Sequence, residues 1–136
     1  MAFRHRLCVD LDGTLIKYDG WRGEHHFGDP IPGAVEFTKK LALIGEVVIY
    51  TARCRDGKHM AEVTAHLKQH GFYFDSVYAG QGKPIASAYI DDRAITCKPQ
   101  STINPYSLYE AVVEQVEELV KRKEKDSNDD STKNTI

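Results

Sequence analysis

The residues best suited to chemistry are two aspartates that follow the first apolar segment of the chain. In LCVDLDGTLI (residues 7–16), Asp10 and Asp12 stand one residue apart and lead into a Gly-Thr pair. Alternate residues of a strand point to the same side, with Cα atoms ~6.6 Å apart, so both carboxylates are expected to face one space. Because nearby like charges repel and are costly to bury without a partner, the pair predicts a compensating cation.

The elements that would position these aspartates alternate along the chain. Apolar, strand-like segments at 7–11 and 46–50 and in DSVYAG and SAYIDD are separated by amphipathic segments. The segment PGAVEFTKKLALIG predicts a helix that stops at Gly45, and KHMAEVTAHLKQHG predicts a second helix. This order is typical of βαβ units. We therefore predict an α/β fold, a three-layer Rossmann-like parallel sheet with helices on both faces.

Polar residues follow three of the predicted strands, at the edge where such sheets bind their ligands. Asp10 and Asp12 follow the first strand, Thr51 follows EVVIY, and Asp91 and Asp92 follow SAYI. Three or four clustered carboxylates without a basic partner favour a hard divalent cation. Mg²⁺ fits best, because it prefers oxygen ligands and commonly recruits a substrate phosphate.

Groups able to bind a phosphate lie near the same edge. The Gly13-Thr14 turn offers closely spaced backbone N–H groups, Thr51 could donate its hydroxyl, and Lys83 in GQGKP could supply a positive charge. Each has a common structural alternative, since a threonine after a strand often caps a helix and a lysine beside Gly-Pro often belongs to a turn. Together with the aspartates, they predict a site with a nucleophile, an acid/base, phosphate donors and a metal.

These motifs resemble the haloacid dehalogenase (HAD) superfamily of phosphotransferases. DLDGTL matches its first motif, DxDGT, and VVIYTAR matches its hydrophobic strand that ends in Thr or Ser. Lys83 fits the third motif and YIDDRA fits the acidic fourth. The motifs occur in the family's order across residues 7–95, about two thirds of the chain.

The resemblance implies catalytic roles for four residues. Asp10 would attack phosphorus and become an aspartyl phosphate, which splits one hard displacement into two easier ones. Asp12 would protonate the leaving oxygen and then take a proton from the hydrolytic water. Thr51 and Lys83 would hold the phosphoryl oxygens. An acid at the position of Asp12 goes with phosphatases and mutases of the superfamily, whereas its transport ATPases and dehalogenases lack one.

The resemblance also implies the metal site. Asp91 and Asp92 would bind Mg²⁺ together with Asp10 and the backbone carbonyl of Asp12. The bound ion would lower the repulsion between Asp10 and the phosphate and hold the in-line geometry. The sequence does not decide which of Asp91 and Asp92 is the direct ligand.

Specificity in this superfamily usually comes from a cap domain, and the spacing of the motifs leaves no room for one. The irregular segment 13–32 allows only a short β-flap after the first strand. Capless relatives tend to act on large substrates or to complete the site with a neighbouring subunit, so a homo-oligomer is one expectation. Arg53 lies two residues after Thr51, so it could bind a second anionic group of the substrate.

The substrate itself has two interpretations. Phosphatase domains of polynucleotide kinases resemble this chain in their T-x-R and DDR motifs and short flap, which favours a nucleic-acid 3′-phosphate. No evident basic stripe accompanies these motifs, so we favour a small phosphorylated metabolite, such as a sugar or nucleotide phosphate. In the flap, YDGWRGEHHFGD (18–29), Trp21 and Arg22 are candidate substrate contacts. The alternative is that the flap aromatics only anchor the segment to the core.

Composition limits the classes of protein that fit. The 136 residues are 41% hydrophobic and 28% charged with a net charge of −2, which is ordinary for a soluble domain and gives no global attraction to nucleic acid or to anionic membranes. Three widely spaced cysteines argue against a disulfide framework, and no signal peptide or membrane-spanning run is evident. We therefore expect a cytoplasmic protein with no membrane partner. Its phosphatase domain would occupy residues 1–123 and a disordered polar tail 124–136, after a last helix that starts near Ser107.

Two other classes fit less well. A signalling receiver domain also places acidic residues, a threonine and a lysine around Mg²⁺ on a parallel sheet, but its phospho-acceptor follows a middle strand. Here DSVYAG ends without an acidic residue. A non-catalytic binding module is disfavoured because every catalytic role has a candidate residue.

Overall fold

The protein is described here by a computed structural model. The model describes the backbone of residues 4–133 and the side chains of residues 4–122. The chain forms two compact units, of which the first ends at Asp92 and the second begins at Arg93. The sheet and two of the helices belong to the first unit. The predicted division into a domain of residues 1–123 and a tail stays a prediction.

The first unit is built on a four-stranded parallel sheet. Its strands are β1 (His5–Val9), β2 (Gly45–Ile49), β3 (Ser76–Val77) and β4 (Ala88–Ile90). They lie in the order β3-β2-β1-β4, and each neighbouring pair is parallel. The two strands that the predicted aspartates follow, β1 and β4, are therefore adjacent. This arrangement confirms the predicted α/β fold with a parallel sheet.

Helices α1 (Ala34–Ala42) and α2 (Met60–Gln69) follow β1 and β2, and a short, kinked 3-10 helix (Ala52–Gly57) lies between β2 and α2. The predicted stop of α1 at Gly45 is wrong, because α1 ends earlier and Gly45 is the first residue of β2. A side chain at Gly45 would collide with the carbonyl oxygen of His5 on the neighbouring strand. The glycine is therefore required by strand pairing and not by a helix end.

The core lies on one face of the sheet. Val9, Val47 and Ile49 of the central strands are fully buried, and they belong to one apolar cluster that includes residues of α1 and α2. Alternate strand residues point to opposite faces, and Cys8 and Val48, on the other face, are also buried. Within the first unit both helices thus pack on the same face, so helices on both faces stay a prediction.

The loop that follows β1 is anchored at both ends. Leu11, Leu15 and Ile16 are fully buried in the core cluster. Ile16 forms a single antiparallel bridge with Pro30, and the N–H of Lys17 donates to the carbonyl of Asp29. The flap (residues 18–29) is therefore closed at its base by these backbone contacts.

The second unit contains α3 (Pro105–Lys133). The predicted start near Ser107 is confirmed to within two residues, since Pro105 is the first helical residue. The Oδ1 of Asn104 accepts a hydrogen bond from the N–H of Ser107 and caps the helix. Asn is a favoured capping residue and Pro suits the first helical position. The backbone of 124–133, predicted as disordered tail, continues α3, and residues 134–136 lie outside the described residues. No helix in the described part of the chain is long and apolar enough to span a bilayer.

Thr38 joins α1 to the segment that leads into β3. Its side chain is fully buried, its hydroxyl donates to the carbonyl of Val35 at 2.7 Å, and its Oγ1 accepts from the N–H of Tyr73 at 3.0 Å. Thr38→Val keeps the shape of the side chain but leaves the part-buried N–H of Tyr73 without its acceptor. We expect the free energy of unfolding to fall by about 1–3 kcal/mol, measured by urea denaturation.

The matched control is Thr64→Val on α2, a half-buried threonine. We expect the control to change stability by less than about 0.5 kcal/mol, as is usual for substitutions away from such a bond. Equal losses in the two variants would contradict the role assigned to Thr38.

Candidate active site

Three aspartates converge at the carboxyl ends of β1 and β4. Asp10 directly follows β1, and Asp91 and Asp92 directly follow β4. The parallel pairing continues past the strands, because the N–H of Asp10 donates to the carbonyl of Ile90 at 2.9 Å. Each aspartate offers a carboxylate oxygen, and these three atoms lie within 4.8 Å of one another. The sequence prediction that these residues meet at one edge of the sheet is therefore what the structure shows.

The charge of Asp10 is poorly compensated. Burial, followed by repulsion from Asp91, raises the pKa of Asp10 to about 7, although a hydrogen bond from the backbone of Leu11 opposes the rise. Asp91 and Asp92 are exposed, whereas Asp10 is half-buried. Carboxylate oxygens gathered in this way are the ligands that Mg²⁺ prefers, and a divalent cation would stabilise the ionised form of Asp10.

Gly13 allows the turn after β1 to approach this cluster. Its φ of +84° is in the left-handed region, which favours glycine. A Cβ at this position would also collide with Oδ2 of Asp92. Both the turn and the closeness of the Asp92 carboxylate therefore require glycine.

The backbone amides of this turn already have acceptors within the chain. The N–H of Gly13 donates to the carbonyl of Ile16 at 2.8 Å, and the N–H of Thr14 donates to the carbonyl of Leu11 at 3.3 Å. The hydroxyl of Thr14 lies 3.5 Å from Oδ2 of Asp10. The predicted binding of phosphate by Gly13 and Thr14 stays a prediction, and the structure engages both amides in the turn.

Asp12 has a different environment from Asp10, because it forms an ion pair with Arg53. The Nε of Arg53 lies 2.8 Å from Oδ2 of Asp12, and an Nη lies 2.9 Å from Oδ1. The pair is therefore bidentate, the geometry in which arginine binds a carboxylate most strongly. The side chain of Arg53 is only 5% exposed and that of Asp12 is 20% exposed.

Arg53 also holds the flap. Its two Nη atoms donate to the carbonyls of Glu24 at 3.1 Å and His26 at 2.8 Å. The guanidinium carbon lies 4.4 Å from the ring centre of Phe27 and 5.3 Å from that of Trp21, which are cation–π distances. Four of its five N–H groups are engaged in this way. Arg53 therefore positions Asp12 and the flap, and its predicted contact with substrate is untested.

The two flap candidates differ in their surroundings. Trp21 packs beside Arg53 and leaves 54% of its surface exposed. Arg22 is exposed and forms an ion pair with Asp19 at 2.8 Å. Trp21 is thus tied to the site through Arg53, whereas Arg22 contacts only its own segment in the described part of the chain.

Thr51 and Lys83 lie in their predicted segments, but with different contacts. Thr51 is buried and extended at the end of β2, and its Oγ1 accepts from the N–H of Arg53 at 3.3 Å. It therefore caps the short 3-10 helix. The ammonium of Lys83 lies 4.0 Å from the ring centre of Tyr89, and the Tyr89 hydroxyl donates to the carbonyl of Pro84. Lys83 is exposed and forms no ion pair with Asp10, both being described residues.

A second group of ligand-type side chains lies outside the predicted site. His25 of the flap meets His59 and Glu62 at the start of α2. Their positions in the sequence do not reveal them as a group, because His25 lies far from the other two. The signal in the sequence is the spacing of His59 and Glu62, because residues three apart share one side of a helical turn.

Comparison with known proteins finds a similar fold but does not assign the chain to a family. No protein-family model and no curated protein matches the chain. A solved structure of a conserved protein from Bacteroides thetaiotaomicron is similar, with a TM-score of 0.53 and 22% sequence identity. The match covers 83% of this chain and 93% of that one. At this level of identity the likeness extends to the fold.

The raised pKa of Asp10 predicts a pH-dependent stability. In the metal-free protein, folding raises the pKa of Asp10 to about 7 and so keeps it protonated, while the unfolded chain ionises it near its ordinary pKa of 3.8. The stabilising contribution of protonated Asp10 to the free energy of unfolding is therefore fully present below pH ~4 and is lost as the pH rises through about 7. In EDTA, Asp10→Asn should match the wild type at pH 4 and exceed its free energy of unfolding by roughly 1–3 kcal/mol at pH 8.

Asp56→Asn is the matched control, because Asp56 is exposed on the short 3-10 helix. Urea denaturation from pH 4 to pH 8 measures all three proteins. A difference between Asp10→Asn and the wild type that does not grow across this range would contradict the unfavourable environment assigned to Asp10.

The Arg53 contacts predict a flap that depends on one side chain. Arg53→Met removes the cation from a largely buried pair, so we expect a loss of about 2–4 kcal/mol in the free energy of unfolding. Arg53→Lys should recover only part, because an ammonium cannot donate the same fork of hydrogen bonds. We also expect faster trypsin cleavage after Arg22, because the flap loses both backbone anchors.

Arg55→Met provides the control, since Arg55 is the exposed arginine of the same 3-10 helix. Urea denaturation and timed proteolysis with mass spectrometry compare the variants. If Arg53→Met and Arg55→Met lose equal stability and are cleaved at equal rates, Arg53 does not hold the flap.

Proposed function

We propose that the protein is a Mg²⁺-dependent phosphomonoesterase of the HAD type that acts through an aspartyl phosphate. The observation that carries this proposal is the cluster of Asp10, Asp91 and Asp92 at the carboxyl end of a parallel sheet. Half-buried Asp10 is surrounded there by other carboxylates, which fits a nucleophile that operates beside a divalent cation.

The residues present fit Mg²⁺. Asp10, Asp91 and Asp92 supply oxygen atoms only, and the carboxylate of Asp12 is turned to Arg53, so Asp12 would contribute its backbone carbonyl. When bound, Mg²⁺ supplies positive charge that offsets the repulsion between these carboxylates and a substrate phosphate.

The covalent steps are assigned to Asp10. One carboxylate oxygen forms a bond to phosphorus while the bond from phosphorus to the ester oxygen breaks. Water then attacks the same phosphorus, the bond to the Asp10 oxygen breaks, and inorganic phosphate leaves.

Asp12 is assigned the proton transfers. It gives a proton to the departing ester oxygen and takes one from the attacking water. Each carboxylate oxygen has two acceptor sites, and Arg53 uses one on each, so Asp12 can face the leaving group while the ion pair persists. Arg53 is then a positioning residue, since it fixes the direction of both oxygens.

Thr51 and Lys83 are assigned to the phosphoryl oxygens. The Thr51 oxygen accepts a hydrogen bond from Arg53, which leaves its O–H free to donate. Lys83 would have to exchange the Tyr89 ring for the phosphate, and its exposed four-carbon chain permits that movement. Gly13 and Thr14 would contribute to phosphate binding through the turn that carries Asp12.

The finer features of the fold belong to the same proposal. We assign the chain to the capless type with a short flap and helices on both faces of the sheet, and we favour a small phosphorylated metabolite as substrate. Arg53, which pairs with Asp12, also binds the backbone of the flap. The exposed ring of Trp21 favours the second candidate, a nucleic-acid 3′-phosphate, because such a ring can stack on a base.

Phosphate release with and without Mg²⁺ tests the function. The substrates are p-nitrophenyl phosphate, sugar phosphates, nucleotides and 3′-phosphorylated oligonucleotides. We expect the wild type to hydrolyse members of this panel with Mg²⁺ and not in EDTA, and Asp10→Asn to lose at least roughly a hundredfold because it lacks the nucleophile.

Asp56→Asn should keep wild-type rates, since this exposed carboxylate is outside the cluster. Acid quenching during turnover should trap phosphate on the wild type and not on Asp10→Asn. Equal phosphate release by the wild type and Asp10→Asn across the whole panel would refute the proposed function.

A further inference from the structure

The flap and the start of α2 share a cluster of histidines and glutamates. The Nδ1 of His25 lies 2.7 Å from Oε2 of Glu62, and the Nδ1 of His59 lies 3.6 Å from Oε1 of the same carboxylate. The Nε2 of His59 lies 3.1 Å from Oε2 of Glu24. Ligand atoms of His25, His59 and Glu62 lie within 4.8 Å of one another.

Backbone contacts hold these side chains in place from both sides. His59 directly precedes α2 with a left-handed φ of +55°, and its imidazole contacts the carboxylate of Glu62 in the first turn of that helix. On the flap, the carbonyls of Glu24 and His26 are bound by Arg53, so His25 lies between two anchored residues. The cluster therefore does not depend on a freely moving loop.

We propose that His25, His59 and Glu62 form a binding site for a divalent transition-metal ion of the zinc class. Two imidazole nitrogens and one carboxylate suit Zn²⁺, with metal–ligand distances of about 2.0–2.2 Å. The observed separations are close enough for small side-chain adjustments to bring the three ligands around one ion.

Glu24 completes the arrangement as an outer partner. When His59 binds the metal through Nδ1, its Nε2–H faces the Glu24 carboxylate. Metal-binding histidines commonly donate their other N–H to a carboxylate, which fixes the ring and strengthens its binding. Three protein ligands leave a fourth position of a tetrahedral ion to water or to another small ligand.

This site is distinct from the aspartate cluster in its chemistry and in its elements. The aspartate cluster offers only oxygen atoms from the ends of β1 and β4, whereas the histidine site offers nitrogen atoms from the flap and α2. A metal bound by His25 and by the first turn of α2 would join the flap to α2. The inference does not rest on the proposed phosphatase activity.

Calorimetric titration of the untagged protein with Zn²⁺ tests the site. The experiment uses a Cys97→Ser background, which removes the exposed thiol as a competing ligand. With excess Mg²⁺ present to occupy the aspartate cluster, we expect one equivalent of Zn²⁺ to bind, and Co²⁺ to give the visible absorption of a tetrahedral site. His25→Ala and Glu62→Gln should each weaken Zn²⁺ binding at least about tenfold, and Glu24→Gln about tenfold, as is typical for outer partners.

His26→Ala is the matched control, because His26 is the adjacent exposed histidine of the flap. Its contact with Arg53 is made by the backbone carbonyl, which the substitution keeps. Asp10→Asn and excess Mg²⁺ should both leave Zn²⁺ affinity unchanged. Circular dichroism verifies that the variants fold. We expect His25→Ala to fold normally because the His25 side chain is 75% exposed. The proposal would be overturned if the wild type did not bind Zn²⁺, or if His25→Ala and Glu62→Gln bound it with wild-type affinity. Loss of Zn²⁺ binding in Asp10→Asn would overturn it as well.

Discussion

The buried guanidinium of Arg53 is the group on which the local structure around Asp12 depends. A cation removed from water is stable only when its charge and its N–H groups are matched by the protein. Asp12 supplies the charge, and the carbonyls of Glu24 and His26 satisfy further N–H groups. The rings of Phe27 and Trp21 cover the guanidinium. One desolvated cation thereby joins the end of β1, the segment after β2 and the flap.

That interaction separates two aspartates that the sequence presents as a pair. Asp12 faces a cation that holds both its oxygens, whereas Asp10 faces Asp91 and Asp92, and burial raises the pKa of Asp10 to about 7. Different environments are how two neighbouring carboxylates acquire different chemical tasks. In the proposed reaction, the aspartate beside the other carboxylates attacks phosphorus and the aspartate held by Arg53 transfers protons.

The flap is held at two places of different chemistry. Arg53 binds its backbone from the side of Asp12, and Glu62 and His59 bind its side chains from α2. The first contact is largely buried, while the His25–Glu62 pair is exposed, and exposed ion pairs contribute little in water. A metal ion at the second place would convert weak surface pairs into a strong constraint.

The sequence by itself determined the parallel sheet and the meeting of Asp10 with Asp91 and Asp92. Apolar segments with short connections identify buried strands, and the carboxyl ends of parallel strands share one edge. A local signal failed at Gly45, because this glycine serves strand pairing instead of a helix end.

Only the tertiary structure decided the direction of the long polar side chains. It turned Arg53 to Asp12, set Lys83 on Tyr89, used the amides of the Gly13 turn within the chain, and brought His25 to His59. The physical reason is that apolar periodicity records which face of an element is buried. The partner of a flexible charged group is set by whatever distant segment folds against it.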